Sequence, residues 1–170
     1  GPGLYPFSGK YGLMNIHGIR KPSFHAFHWM NELYDEELAT PERDLRVTRN
    51  GDDLRILLWR FQDPLTTDFN GADYIFEERA TERELLLKGL DGRYQLVGHK
   101  VDRESGNSYR AWQTMGSPQY PGAEQLAILD EASHPVPCVN RIIDTHEGDI
   151  KLHAALSPGS IVFYDLKKLD

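Results

Sequence analysis

Apolar residues recur at three- and four-residue steps soon after the chain begins: Phe24, Phe27, Met30, Leu33 and Tyr34. That spacing marks one face of an amphipathic helix. Pro22 suits its first turn, where a missing N–H costs nothing. The helix is predicted to end between Tyr34 and Leu38, and Thr40 followed by Pro41 supports the stop. The pattern then changes. "LRVTRNGDDLRILLWRF" reads as two short strands around Asn50 and Gly51, a strong hairpin signal. Residues 62–83 are polar and irregular apart from Tyr74, Ile75 and Phe76, and read as a long connection with one edge strand.

Alternation resumes in "RELLLKGLDGRYQLVGHKVDR", which predicts a second hairpin turning at Asp91 and Gly92. Tyr94 and Leu96 share one parity, whereas Val97, His99 and Val101 take the other. Gly98 sits at the switch, where a bulge is expected. "PGAEQLAILDEASH" predicts a second helix with Leu126 and Leu129 on one side and Pro135 beyond its end. In "DIKLHAALSPGSIVFYDL" two further strands flank Pro158 and Gly159, with Ile150, Leu152, Ala154 and Leu156 alternating in the first. At least six strands in hairpin order make the expected fold mainly β, an antiparallel β-sandwich with two helices. The beginning of the chain does not fit that sandwich. It offers one short extended piece and one helix before the break at Pro41, so residues 1–40 and 41–170 are expected to have separate architectural origins.

Composition narrows the function classes. A net charge of −7, with no tract of dense Lys/Arg among stacking aromatics, argues against a nucleic-acid partner. No apolar run approaches the ~20 residues that cross a bilayer, so no membrane partner is expected. The single Cys138 excludes an internal disulfide and a thiolate metal cluster.

Candidate chemistry is sparse. His25, His28 and Glu32 stand at helical offsets of three and four, a spacing a metal can use. They lack the paired-His signature of a zinc protease helix and read instead as packing and surface hydrogen bonds, so no metal is expected. Asp102 and Glu104, two apart, read as turn and strand-end hydrogen-bonding groups. Asn31-Glu32 is the only Asn-Glu pair and lies inside a helix, as a solvated face. His146 and His153 have no ligand spacing, and no serine sits in a nucleophile elbow. Trp29 and Trp59 are expected to be buried. Trp112 follows a polar loop and, with Tyr109, is the candidate stacking platform for a sugar ring.

Two stretches carry a family resemblance. "YGLMNIHGIRKPSFHAFHWMNEL" resembles the final loop and last helix of clan A glycoside hydrolase barrels, in which a Gly-Leu precedes a Lys-Pro that opens helix eight. "VDRESGNSYRAWQTMGSPQYPGAEQ" is similar to a segment of glycoside hydrolase family 39, the β-xylosidase and α-L-iduronidase family. Asp102, Arg103, Asn107, Tyr109, Trp112, Gly116, Ser117, Pro118 and Gln125 match its pattern as structural residues. Ser105 stands where a His is common, and Gly122 where a Thr often caps the helix, a change expected to weaken that helix's start.

The resemblance implies that residues 1–40 are the end of a (β/α)8 barrel and residues 41–170 the accessory β-sandwich. It implies a parent enzyme that hydrolyses β-xylosides or related glycosides with retention, using two glutamates on earlier barrel strands. None of the residues here matches either glutamate motif, so no catalytic residue is assigned and no cofactor is implied. The segment is expected to be structural, inactive alone, and to meet carbohydrate only through the parent enzyme. The helix face of Phe24, Phe27 and Met30 is expected to meet the missing barrel portion or a second copy of the chain. A stand-alone carbohydrate-binding module using Tyr109 and Trp112 is the alternative, and a metal-dependent enzyme built on His25 and His28 a third.

Overall fold

Two sheets of unequal size enclose the main core. In the computed structural model, residues 5–7, 11–61, 79–145 and 148–169 are described. They form α1 (Pro22–Glu32), β1 (Glu36–Leu38), β2 (Leu45–Asn50), β3 (Asp53–Arg60), β4 (Thr81–Lys88), β5 (Gly92–Val101), α2 (Ser108–Thr114), α3 (Ala123–Ala132), β6 (Val136–Thr145), β7 (Asp149–Leu156) and β8 (Ser160–Leu169). Six strands pair in the order β1-β2-β3-β8-β5-β6, and β4 pairs with β7 in the second sheet. Every pairing is antiparallel. The inner faces meet through Val47, Ile56, Leu58, Leu96, Val162 and Leu166 of the large sheet, and Leu85, Ile150, Leu152 and Leu156 of the small one.

Several expectations hold. Asn50 pairs with Asp53 across a two-residue turn, in which Gly51 takes a φ of 61°, open to glycine without a Cβ penalty. The alternation in β7 is complete, with Ile150, Leu152, Ala154 and Leu156 buried and their neighbours exposed. The register of β5 against β6 shifts between Gly98 and His99, at the expected bulge. Beyond it, Val101 packs on the opposite face of the sheet from Tyr94 and Leu96. Trp29 is buried, and Trp59 is half-buried against the same cluster.

Other expectations are corrected. The second hairpin does not form: β4 leaves for the small sheet, whereas β5 lies between β6 and β8. β4 buries little besides Leu85, whereas β5 buries Tyr94, Leu96, Gly98 and Val101 and pairs along both edges, with β6 and with β8. Gly89 and Gly92, both at positive φ, therefore turn a sheet-to-sheet corner, where the Leu90 N–H donates to the Gly148 carbonyl at 2.7 Å. The strands flanking Pro158 and Gly159 likewise belong to different sheets. Tyr74, Ile75 and Phe76, and His146, lie outside the described residues.

The helices number three, not two, among the described residues. α1 ends at Glu32, short of the expected limit, because Leu33 is already extended, and residues 36–38 form β1. Its buried stripe is His25 and Trp29, with Leu33 packed beyond them, whereas Phe27 and Met30 are exposed. The stripe turned inward because His25 finds a carbonyl partner there, which makes its burial tolerable.

Candidate functional site

Residues 101–125 build a short two-helix shoulder beside the large sheet. Asp102 organises its start. Its Oδ1 accepts from the Glu104 and Ser105 N–H groups at 2.9 and 2.6 Å, and its Oδ2 from Lys100 Nζ at 3.0 Å. Burial pushes this carboxyl up, but those hydrogen bonds outweigh it and hold it below the usual range. Asn107 caps α2, accepting from the Tyr109 N–H at 3.2 Å and donating to the Arg103 carbonyl at 2.9 Å. Arg103 itself is exposed.

Tyr109 and Trp112 are both half-buried, and Phe7 packs on them with ring centroids 5.6 and 5.4 Å away. The indole N–H donates to the Pro118 carbonyl at 2.9 Å. Gly116 and Ser117, at φ 87° and 54°, close α2, and the Ser117 N–H donates to the Trp112 carbonyl. Gln125 accepts from the Gly122 N–H at 2.9 Å, so half of a capping box survives at α3 although Gly122 has no side chain to complete it.

This shoulder and the large sheet together fix α1. Trp29 stacks on Phe163, nearly parallel at 5.7 Å, in a cluster with Leu57 and Val101. His25 Nε2 lies 2.7 Å from the Ser133 carbonyl and so donates to it. Buried Ser108 donates its hydroxyl to the Arg20 carbonyl at 3.0 Å. At the far end Arg55 donates to the Glu32 carbonyl and stacks over Tyr34, 4.4 Å from the ring centroid. Burial raises the Tyr34 hydroxyl above its ordinary value, against the opposing charge of Arg55.

The outward side of this region is apolar. Among the described residues, seven of the thirteen large hydrophobic side chains left exposed lie between Tyr5 and Met30: Tyr5, Tyr11, Leu13, Met14, Ile16, Phe27 and Met30. Of these, Met30 lines a groove of about 340 Å³ whose walls also include Ala26, Trp59, Phe61 and Ile161.

The remaining candidates are dispersed. His25 is committed to Ser133, His28 stacks on Phe24 at 6.1 Å, and Glu32 faces Arg55 at 3.7 Å. Glu104 pairs with Arg110, and His153 with Glu84. Among the described residues no three His, Cys, Asp or Glu side chains come together as metal ligands. Sequence reasoning missed Ser108, Ser133 and Arg55. Their signal is burial with a long-range partner, which local spacing does not carry.

The described residues thus form an antiparallel β-sandwich with an appended helix and several exposed apolar side chains near its start. Residues 2–150 match the profile of Glycosyl hydrolases family 39, and the chain belongs to that family. It is 30% identical over 139 residues to a "Beta-xylosidase" of Caldicellulosiruptor saccharolyticus, covering 78% of this chain and 26% of that protein. The crystal structure of a monomeric beta-xylosidase from Caulobacter crescentus CB15 superposes with a TM-score of 0.87 at 28% identity, over 100% of this chain and 35% of that one. The GH39 enzyme from Xanthomonas axonopodis pv. citri shares the fold at a TM-score of 0.90 and 22% identity, over 98% of this chain and 34% of that one. The chain thus spans about a quarter to a third of the length of these relatives.

Proposed function

We propose that this chain is the C-terminal portion of a retaining, β-xylosidase-like enzyme, comprising the last barrel helix and the accessory sandwich, and that its role is to brace the barrel. The observation that carries this reading is the apolar edge from Tyr5 to Met30, concentrated on the residues that resemble a barrel's end. A barrel needs ~200 residues or more, and its catalytic groups sit at strand ends within it. A pair of carboxylates ~5–5.5 Å apart is what retaining hydrolysis requires. Here Asp102 is committed to its turn and Glu104 to Arg110.

The purified chain is expected to show no turnover of an aryl β-xyloside. Turnover abolished by Asp102→Asn or Glu104→Gln would overturn this reading. Within the parent enzyme the barrel would cover the apolar edge, in keeping with the Caulobacter relative being described as monomeric. Without it the edge would recruit a second copy. Sedimentation of the chain alone is therefore expected to show concentration-dependent association, reduced by the double substitution Phe27→Ser and Met30→Ser. A strict monomer at every concentration would count against the edge as a docking surface.

A further inference from the structure

The junction between α1 and α3 is closed by two imidazoles. His25 is 3% exposed and its Nε2 hydrogen bond ends on Ser133, the residue that caps α3. The next residue, His134, places Nδ1 2.9 Å from the Asp130 carbonyl, so Nδ1 carries a proton and donates. That leaves Nε2 to accept from Arg20 Nη1 at 3.2 Å. Arg20 in turn lies over the Phe24 ring at 5.3 Å, and its carbonyl receives the Ser108 hydroxyl. Both bonding patterns suit neutral imidazoles.

We propose that Arg20, His25 and His134 form an acid-sensitive latch that holds α1 against the end of α3 and loosens when the buried His25 takes up a proton. Protonated His25 would be a buried cation whose charged neighbours are Arg20, His28 and His134, all of one sign. His134 also borders the groove between α2 and α3, with Glu104, Arg110 and Glu131 around it. Burial first, and then those cations, lower the His25 value from its ordinary 6.5, against the opposing pull of the Ser133 hydrogen bond. As the pH falls through about 6.5 the unfolded chain therefore binds this proton before the folded one does. The stabilisation is complete above that value and is lost below it, down to the lowered native value. Carboxylates titrate in a lower range, so the window belongs to histidine.

The test is a melting series on the chain from about pH 7.5 to about pH 5, with His25→Gln, whose amide keeps a donor near the Nε2 position but takes no proton. The wild type is expected to lose about 2–4 °C more than the variant across this range. In parallel, imidazole resonances of the wild type should show His25 titrating below 6.5, with its midpoint rising in His134→Gln, where one neighbouring cation is gone. Parallel melting curves, or a His25 midpoint at or above 6.5, would overturn the latch. An unchanged midpoint in His134→Gln would remove His134 from it. Should His25→Gln fail to fold, the resonance titration decides alone. If α1 also docks the barrel, as proposed above, acid would loosen that docking too, but these measurements read the latch whether or not that holds.

Discussion

Replacing Trp29 by alanine is expected to destabilise the chain by about 3–5 kcal/mol, the range for deleting a buried aromatic. Trp29 is 5% exposed and stacks on Phe163, with Leu57, Val101, Leu33, Trp59 and Ile161 around it. α1 has little else to keep it helical. Lys21 offers no side-chain cap, the first turn has no acidic residue and the last no basic one. Eleven residues form a helix too short to persist in water alone, so its stability comes from packing. The loss should therefore begin locally. Hydrogen exchange is expected to show α1 amides opening while β5 and β8 keep their protection. Urea titration followed by circular dichroism gives the total. A loss under about 1 kcal/mol, typical of a surface substitution, would mean that His25, Ser108 and Arg55 hold α1 without the indole.

That expectation turns on a face the sequence does not display. The spacing of Phe24, Phe27 and Met30 is regular, but the buried stripe is His25 and Trp29, and Leu33 is the predicted face's member that packs with them. An apolar period cannot reveal it, because one member is a histidine whose partner, Ser133, lies 108 residues away. The same limit explains β4 and β5. Asp91 and Gly92 signal a reversal, and the chain does turn there, but the partner of each neighbour is set by long-range pairing, β4 with β7 and β5 with β6 and β8. β6 is not legible in the sequence because Pro135 precedes it, Pro137 interrupts it and most of it is exposed, as an edge strand allows. α2 escaped because it has few apolar residues and rests on the Asn107 cap and the Phe7–Tyr109–Trp112 cluster. What was legible was local: the Asn50 turn, the alternation of β7 and the Gly98 bulge. The family itself was legible because residues such as Asp102 and Asn107 hold turns whose geometry admits few substitutes.

Gly98→Ala is expected to cost about 1–3 kcal/mol, as overpacking of a closed site does. The reason is space rather than backbone freedom. Gly98 is paired with Val139 of β6 on one side and Tyr164 of β8 on the other. A Cβ there would lie 2.6 Å from Val139 Cγ1 and 2.7 Å from Tyr164 Cδ1, inside any tolerable contact. The two neighbours differ in how far they can yield. Tyr164 is 4% exposed, its hydroxyl reaches toward the His153 carbonyl at 3.4 Å, and burial pushes its titration up to about 12. It is fixed between the sheets. Val139 is only partly buried and belongs to the edge strand. Strain should therefore be released outward, through β6, with the register shift beside Gly98 enlarged. Adding Val139→Ala to Gly98→Ala should then recover part of the loss, with a positive coupling between the two sites in a double-mutant cycle. Denaturant midpoints measure both steps. Full additivity would place the conflict on Tyr164 alone, and an unchanged midpoint in Gly98→Ala would mean that the sheet adjusts at the bulge without cost.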